Sequence, residues 1–116
     1  MSLKITTRET ADATILDLSG RITLGEGLGD LRDSIRESLA GNRKHIVLNL
    51  ADVSYIDSSG LGQLIGSYAT VTDRGGQMKL VNLQKKVKDL MQITKLLTVF
   101  QTYDTESAAL ASFGGN

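Results

Sequence analysis

The chain has 116 residues, enough for one domain with a modest core, and its 41% hydrophobic and 22% charged composition is that of a globular protein rather than a disordered one. Thirteen basic residues balance thirteen acidic ones, so no net field favours nucleic acid or an anionic membrane. The absence of cysteine excludes disulfides and thiolate metal sites, and the single histidine excludes the usual multi-histidine zinc sites.

Met1 to Thr6 lacks the apolar run and cleavage site of a secretory signal, and no apolar stretch approaches the roughly 20 residues needed to cross a bilayer. A soluble protein in a reducing cytoplasm is the expectation. Leu3, Ile5 and Thr7 alternate with polar residues, and Ala13 to Leu18 follows a polar break at Asp12, which predicts a β-hairpin whose second strand ends at Gly20. From Glu26 the period changes. Leu28, Leu31, Ile35 and Leu39 recur every three or four residues, predicting an amphipathic helix that ends at Gly41.

His45 to Leu50 is a compact β-branched and leucine-rich run and predicts a strand at the centre of a sheet. Leu61, Leu64, Ile65, Tyr68 and Val71 then take helical spacing as a core-facing stripe, stopped by Asp73-Arg74-Gly75-Gly76. Met78 to Leu83 predicts a strand, Val87, Leu90, Met91 and Leu97 a further helix, and Val99-Phe100 a last strand. Thr105 would cap a final helix through Leu110, leaving Ser112 to Asn116 as a frayed tail. This alternation predicts a single α/β domain over residues 1–116, with a mixed central sheet and about four helices packed mainly on one side.

The junction Ile56-Asp57-Ser58-Ser59-Gly60-Leu61-Gly62 joins a predicted strand to a predicted helix, where the first amides have no intrahelical partner. Ser58 or Ser59 would cap them, a purely structural role for either serine. Gly60, Gly62 and Gly66 do not fit a bare helix, because each glycine costs about 1 kcal/mol relative to alanine. With Ser59 and Thr70, Gly62 and Gly66 form a stripe of small residues. Such a stripe suits either a neighbouring helix of the same domain or another molecule's surface.

Two other features invite chemistry and carry little. Gly25-x-Gly27-x-Gly29 lacks both the spacing and the lysine of phosphate-binding loops. His45 lies at the far end of the predicted strand from Ser58, so the two do not make a nucleophile and its base; His45 reads as a strand-edge or partly buried structural residue. Asp52 and Asp57 read as turn and capping residues rather than an acid–base pair. No catalytic residue, cofactor site or metal site is predicted, and the chain is not expected to be an enzyme.

His45 to Val53 followed by Ile56 to Gly62 resembles the signature of STAS-domain anti-sigma factor antagonists. Ser19-Gly20-Arg21-Ile22, Gly75 to Met78 and Val87 to Met91 extend the likeness over nearly the whole chain. Thr23 to Gly29 departs from it by being richer in glycine. The resemblance implies phosphorylation of Ser58 by a partner that is both anti-sigma factor and ATP-dependent serine protein kinase. Unphosphorylated protein would bind this partner and free a sigma factor, whereas the phosphorylated form would let go until a phosphoserine phosphatase restores the unphosphorylated one. Asp57, Ser59, Gly60, Gly62 and Gly66 would form the partner-binding face, with no nucleic acid or membrane involved. The alternative is a STAS-type scaffold that uses the same surface without phosphorylation, in a stress-signalling or lipid-transport complex.

Overall fold

The computed structural model describes residues 3–113. These residues form strands β1 (Lys4–Glu9) and β2 (Thr14–Ile22), helix α1 (Glu26–Ala40), β3 (His45–Ile56), α2 (Ser58–Asp73), β4 (Gln77–Val81), α3 (Lys85–Ile93), β5 (Gln101–Tyr103) and α4 (Glu106–Phe113). The sheet order is β1-β2-β3-β4-β5. β1 and β2 are the antiparallel hairpin, and each later strand is parallel to its predecessor because a helical connection carries the chain back.

Alternation along the strands divides the core in two. Leu16, Leu18, Ile46, Leu48 and Leu80 face α1, α2 and α3 and pack with Leu31, Ile35, Leu64, Val71, Val87 and Met91. Ile15, Val47 and Val81 face the other way, against Ala109 and Phe113 of α4. Three helices on one face and one on the other agree with the expected one-sided packing. Arg8 pairs with both Asp17 and Glu106, which ties the hairpin to α4.

Several boundaries differ from the sequence reading. β2 does not end at Gly20 but passes through an irregular register to Ile22, which is completely buried. β3 does not stop at Leu50, because Val53 and Ile56 continue inward from an otherwise polar stretch and β2 keeps pairing with it to Ile56. β4 stops at Val81, where Asn82 turns the chain at φ 61°. The last strand lies at Gln101–Tyr103; Val99 and Phe100 precede it, and Phe100 is buried edge-on against Tyr68 at 5.7 Å.

The frayed tail expected from Ser112 is corrected in part. Ser112 and Phe113 complete α4, and Phe113 is buried and stacked on His45 at 4.4 Å between ring centroids; residues 114–116 lie outside the described part. Thr105 does cap α4, its Oγ1 accepting from the Ala108 amide at 3.1 Å. Gly27 accounts for some of the glycine content before α1: a Cβ there would fall 2.7 Å from the Cβ of Leu3, so the helix start lies directly against β1's approach.

Candidate functional site

The long central strand ends at Ile56 and α2 begins two residues later, so the backbone reverses at Asp57. Asp57, not a serine, is the cap. Its extended backbone lets Oδ1 accept from the Gly60 amide at 2.8 Å, while Oδ2 accepts from the Leu24 amide at 3.0 Å. One carboxylate thereby closes the helix end and ties it to the β2–α1 loop, which a hydroxyl could not do with the same two-oxygen reach. The Leu24 and Gly60 amides hold the Asp57 carboxyl below the usual carboxylate range.

With the cap supplied by Asp57, Ser58 is left at the first helical position, exposed to solvent, and Ser59 follows half-buried. Gly60 has a different task. A Cβ there would come 1.9 Å from the Ile22 carbonyl oxygen, so only glycine lets the end of β2 lie against the first turn of α2. Gly60, expected to contribute to a partner-binding face, is itself buried.

Gly62 and Gly66 are exposed, and nothing lies within 4 Å of where their Cβ atoms would be. They are not packed against another helix of the domain. Ile65, expected to face the core, is 41% exposed, whereas Ser67 is buried in its place. Ser58, Gly62 and Ile65 are spaced four and three residues apart, so they form one open strip along α2. On its other flank, Arg32, Arg36, Gln63, Gly66 and Thr70 line a shallow groove of about 210 Å³ between α1 and α2.

Sequence reasoning missed two contributors. Ile65 was hidden by its helical spacing with real core residues. Leu24, 78% exposed, sits in the loop whose amide is bonded to Asp57, and no periodic signal marks it. An apolar residue next to glycines and outside any periodic run is the one hint the sequence offers.

His45 is removed from all this. It starts β3, and its Nδ1 is 3.1 Å from the Asp12 carbonyl oxygen while its ring stacks on Phe113. His45 opens a twelve-residue strand and Ser58 lies beyond its other end, so they do not form a catalytic pair. Asp52 is exposed on β3 and Asp57 is committed to two amides. Among the described residues no group of three or more histidine or acidic side chains is placed to hold a metal ion.

The fold and this junction define a five-stranded mixed α/β domain that presents a serine hydroxyl and a flat helical strip at one end of its central strand. The STAS domain family model matches residues 4–109, and the chain belongs to the STAS domain family. The anti-sigma F factor antagonist of Paenibacillus polymyxa is 31% identical over 112 residues, spanning 95% of this chain and 94% of that protein. Unphosphorylated SpoIIAA, an anti-sigma factor antagonist, aligns with a TM-score of 0.74 at 21% identity, over 97% of this chain and 100% of the other. The phosphorylated form of the Bacillus cell fate determinant SpoIIAA gives 0.69 at 20% identity, over 90% and 96%. At that identity the two structures establish likeness of fold. Among the described residues no helix is long and apolar enough to cross a membrane.

Proposed function

We propose that this chain is an anti-sigma factor antagonist controlled by phosphorylation of Ser58. In its unphosphorylated form it binds an anti-sigma factor that is also an ATP-dependent serine kinase, and so releases a sigma factor in the cytoplasm. Phosphate on Ser58 ends the complex, and a phosphatase restores it. The observation that carries this reading is that Asp57 performs the capping, which leaves the Ser58 hydroxyl exposed at the helix start with no structural duty of that kind. Its surroundings support the same reading: Leu24, Ile65 and the open Gly62 and Gly66 positions offer a flat, partly apolar area for a protein surface. The name of the Paenibacillus relative supports the antagonist role. The protein acts by binding and is not itself an enzyme.

Mass spectrometry of the intact protein, after incubation with the anti-sigma factor kinase and ATP, tests the assignment. Wild type and Ser59→Ala should gain one phosphate and Ser58→Ala none. Labelling abolished by Ser59→Ala alone would move the site, and no mass gain in the wild type would leave a constitutive scaffold. Gly62→Gln should fold normally and weaken the complex, since its side chain would project from the open strip.

A further inference from the structure

Two cations border the groove between α1 and α2. Arg32 and Arg36 lie one turn apart on α1 and both line it, beside the buried Ile35 and Ser67, while Gly66 and Thr70 belong to the α2 wall. Gln63, the other lining side chain, is already engaged, its Nε2 donating to Ser67 Oγ at 3.0 Å. No lining residue is acidic.

The groove's positive charge is not neutralised from within. Arg36 is exposed and makes no ion pair among the described residues. Arg32 Nε is 3.3 Å from Asp33 Oδ1, but both side chains are exposed and Asp33 does not line the groove, so water screens that pair. Two like charges one turn apart repel in the free chain. A carboxylate entering between the helices would relieve that repulsion.

The charges also choose among occupants. A two-fold interface would set this groove against its own copy, arginine facing arginine. An apolar segment would strip water from the guanidiniums and leave them unpaired. A nucleic-acid backbone lying across α1 would meet the carboxylates of Asp30, Asp33 and Glu37, all exposed on the same helix. An acidic side chain on a protein segment can enter the groove and meet the cations alone.

Position selects the protein. Ser58, Gly62 and Gly66 follow one another at four-residue spacing along α2, so the groove wall at Gly66 lies about 12 Å from the Ser58 position. A partner that covers about 800 Å² around Ser58 reaches that far. We propose that this groove receives an acidic segment of the anti-sigma factor, an aspartate or glutamate side chain entering beside Arg36. Arg36 then determines which partner binds, without touching the phosphorylated serine. The inference rests on the reading of the chain as an anti-sigma factor antagonist.

Isothermal titration calorimetry of the full chain with the anti-sigma factor kinase, without ATP, tests it at about 50 mM and about 300 mM salt. The wild-type dissociation constant should rise at least about threefold with salt. Arg36→Glu should raise it at least about tenfold at the lower salt, and Arg36→Lys, which keeps the charge, by less than about threefold. Lys95→Glu makes the same change of charge beyond the end of α3, outside the groove, and should leave it within about twofold. Circular dichroism should be unchanged in all three variants, because these side chains are exposed. Wild-type-like binding by Arg36→Glu overturns the proposal, as does an equal loss in Lys95→Glu, which would reduce the effect to net charge. Self-association of the free chain that Arg36→Glu abolishes would give the groove to a second copy and overturn it too. A wild type that binds no anti-sigma factor removes the antagonist reading and this inference with it, whereas tight binding indifferent to Arg36→Glu removes this inference alone.

Discussion

The two ends of β3 carry similar kinds of side chain and treat them in opposite ways. At the His45 end the polar groups are turned inward. Arg43 donates to Thr14 Oγ1 and to the carbonyls of Thr10 and Ala13, His45 stacks on Phe113, and the Lys79 ammonium lies 4.6 Å from the Phe113 ring centroid and 2.8 Å from Gln101 Oε1. At the Ser58 end the backbone is tied and the side chains are open. Asp57 binds two amides and Gly60 presses on the Ile22 carbonyl, yet Ser58, Gly62 and Ile65 face solvent. A charged or aromatic residue that satisfies its own neighbours is architecture; a rigid turn that holds unengaged side chains outward is suited to another molecule.

The largest effect should come from breaking the tied half. Gly60→Ala places a methyl group into the backbone of β2, with no flexible side chain to yield, and should cost at least about 3 kcal/mol, roughly a 10 °C fall in Tm or more. Gly62→Ala, two residues on, meets nothing and should stabilise by about 0.5–1 kcal/mol through helix propensity. Thermal melts of the two variants are the check. Equal shifts would erase the distinction between the buried and the open side of this helix start.

That distinction was only half legible in the sequence. The strand and helix periods located the junction, because Ile46, Leu48, Leu61, Leu64 and Val71 really are core residues. The period could not say that Ser67 and not Ile65 completes the buried arc, since a small polar residue can be buried once Gln63 supplies its hydrogen bond, here at 3.0 Å. Nor could it foresee β3 beyond Leu50. Asp52, Ser54 and Tyr55 are exposed there and mask the inward Val53 and Ile56. The cap stayed open among Ser58, Ser59 and Asp57 for a related reason. Ser, Thr and Asp are all good caps, and which one serves depends on Leu24, an amide 33 residues away that no local pattern reveals.

Acid should act on the same tie with a smaller effect. The Leu24 and Gly60 amides lower the folded pKa of Asp57 below its ordinary 3.8. Its contribution to stability is therefore full above that value and is lost as pH falls through the folded pKa. Asp17, lowered chiefly by its hydrogen bond from Arg8, titrates in the same direction, so the wild-type acid limb contains both. Asp57→Asn should lower Tm by a few degrees at neutral pH, where the charged cap is lost. The deficit should shrink as the pH drops below about 4, because the wild type then loses the charge as well. A deficit constant from pH 7 to pH 2 would mean that the carboxylate charge contributes nothing to the tie.

The smallest effect on stability should belong to the residue on which function is proposed to turn. Ser58→Asp puts a negative charge at the first position of α2, where the helix N-terminus favours it by about 0.3–1 kcal/mol. The neighbouring Asp57 carboxylate opposes it, and because the Leu24 and Gly60 amides keep that carboxylate ionised, the opposition persists at neutral pH. Ser58 is exposed, so both influences act through water and nearly cancel. The variant should keep its circular dichroism spectrum and melt within a few degrees of wild type. Inside a protein–protein interface the same charge loses its water, and leaving it uncompensated costs about 3–5 kcal/mol, a loss of binding of about a hundredfold or more. The desolvation cost is several times the residual effect on the free domain, so the proposed switch should operate on the complex. Calorimetric melting and binding to the anti-sigma factor kinase, measured on the same Ser58→Asp preparation, separate the two. A variant that melts far below wild type would make phosphorylation a folding switch, and one that is stable and still binds tightly would remove Ser58 from the interface.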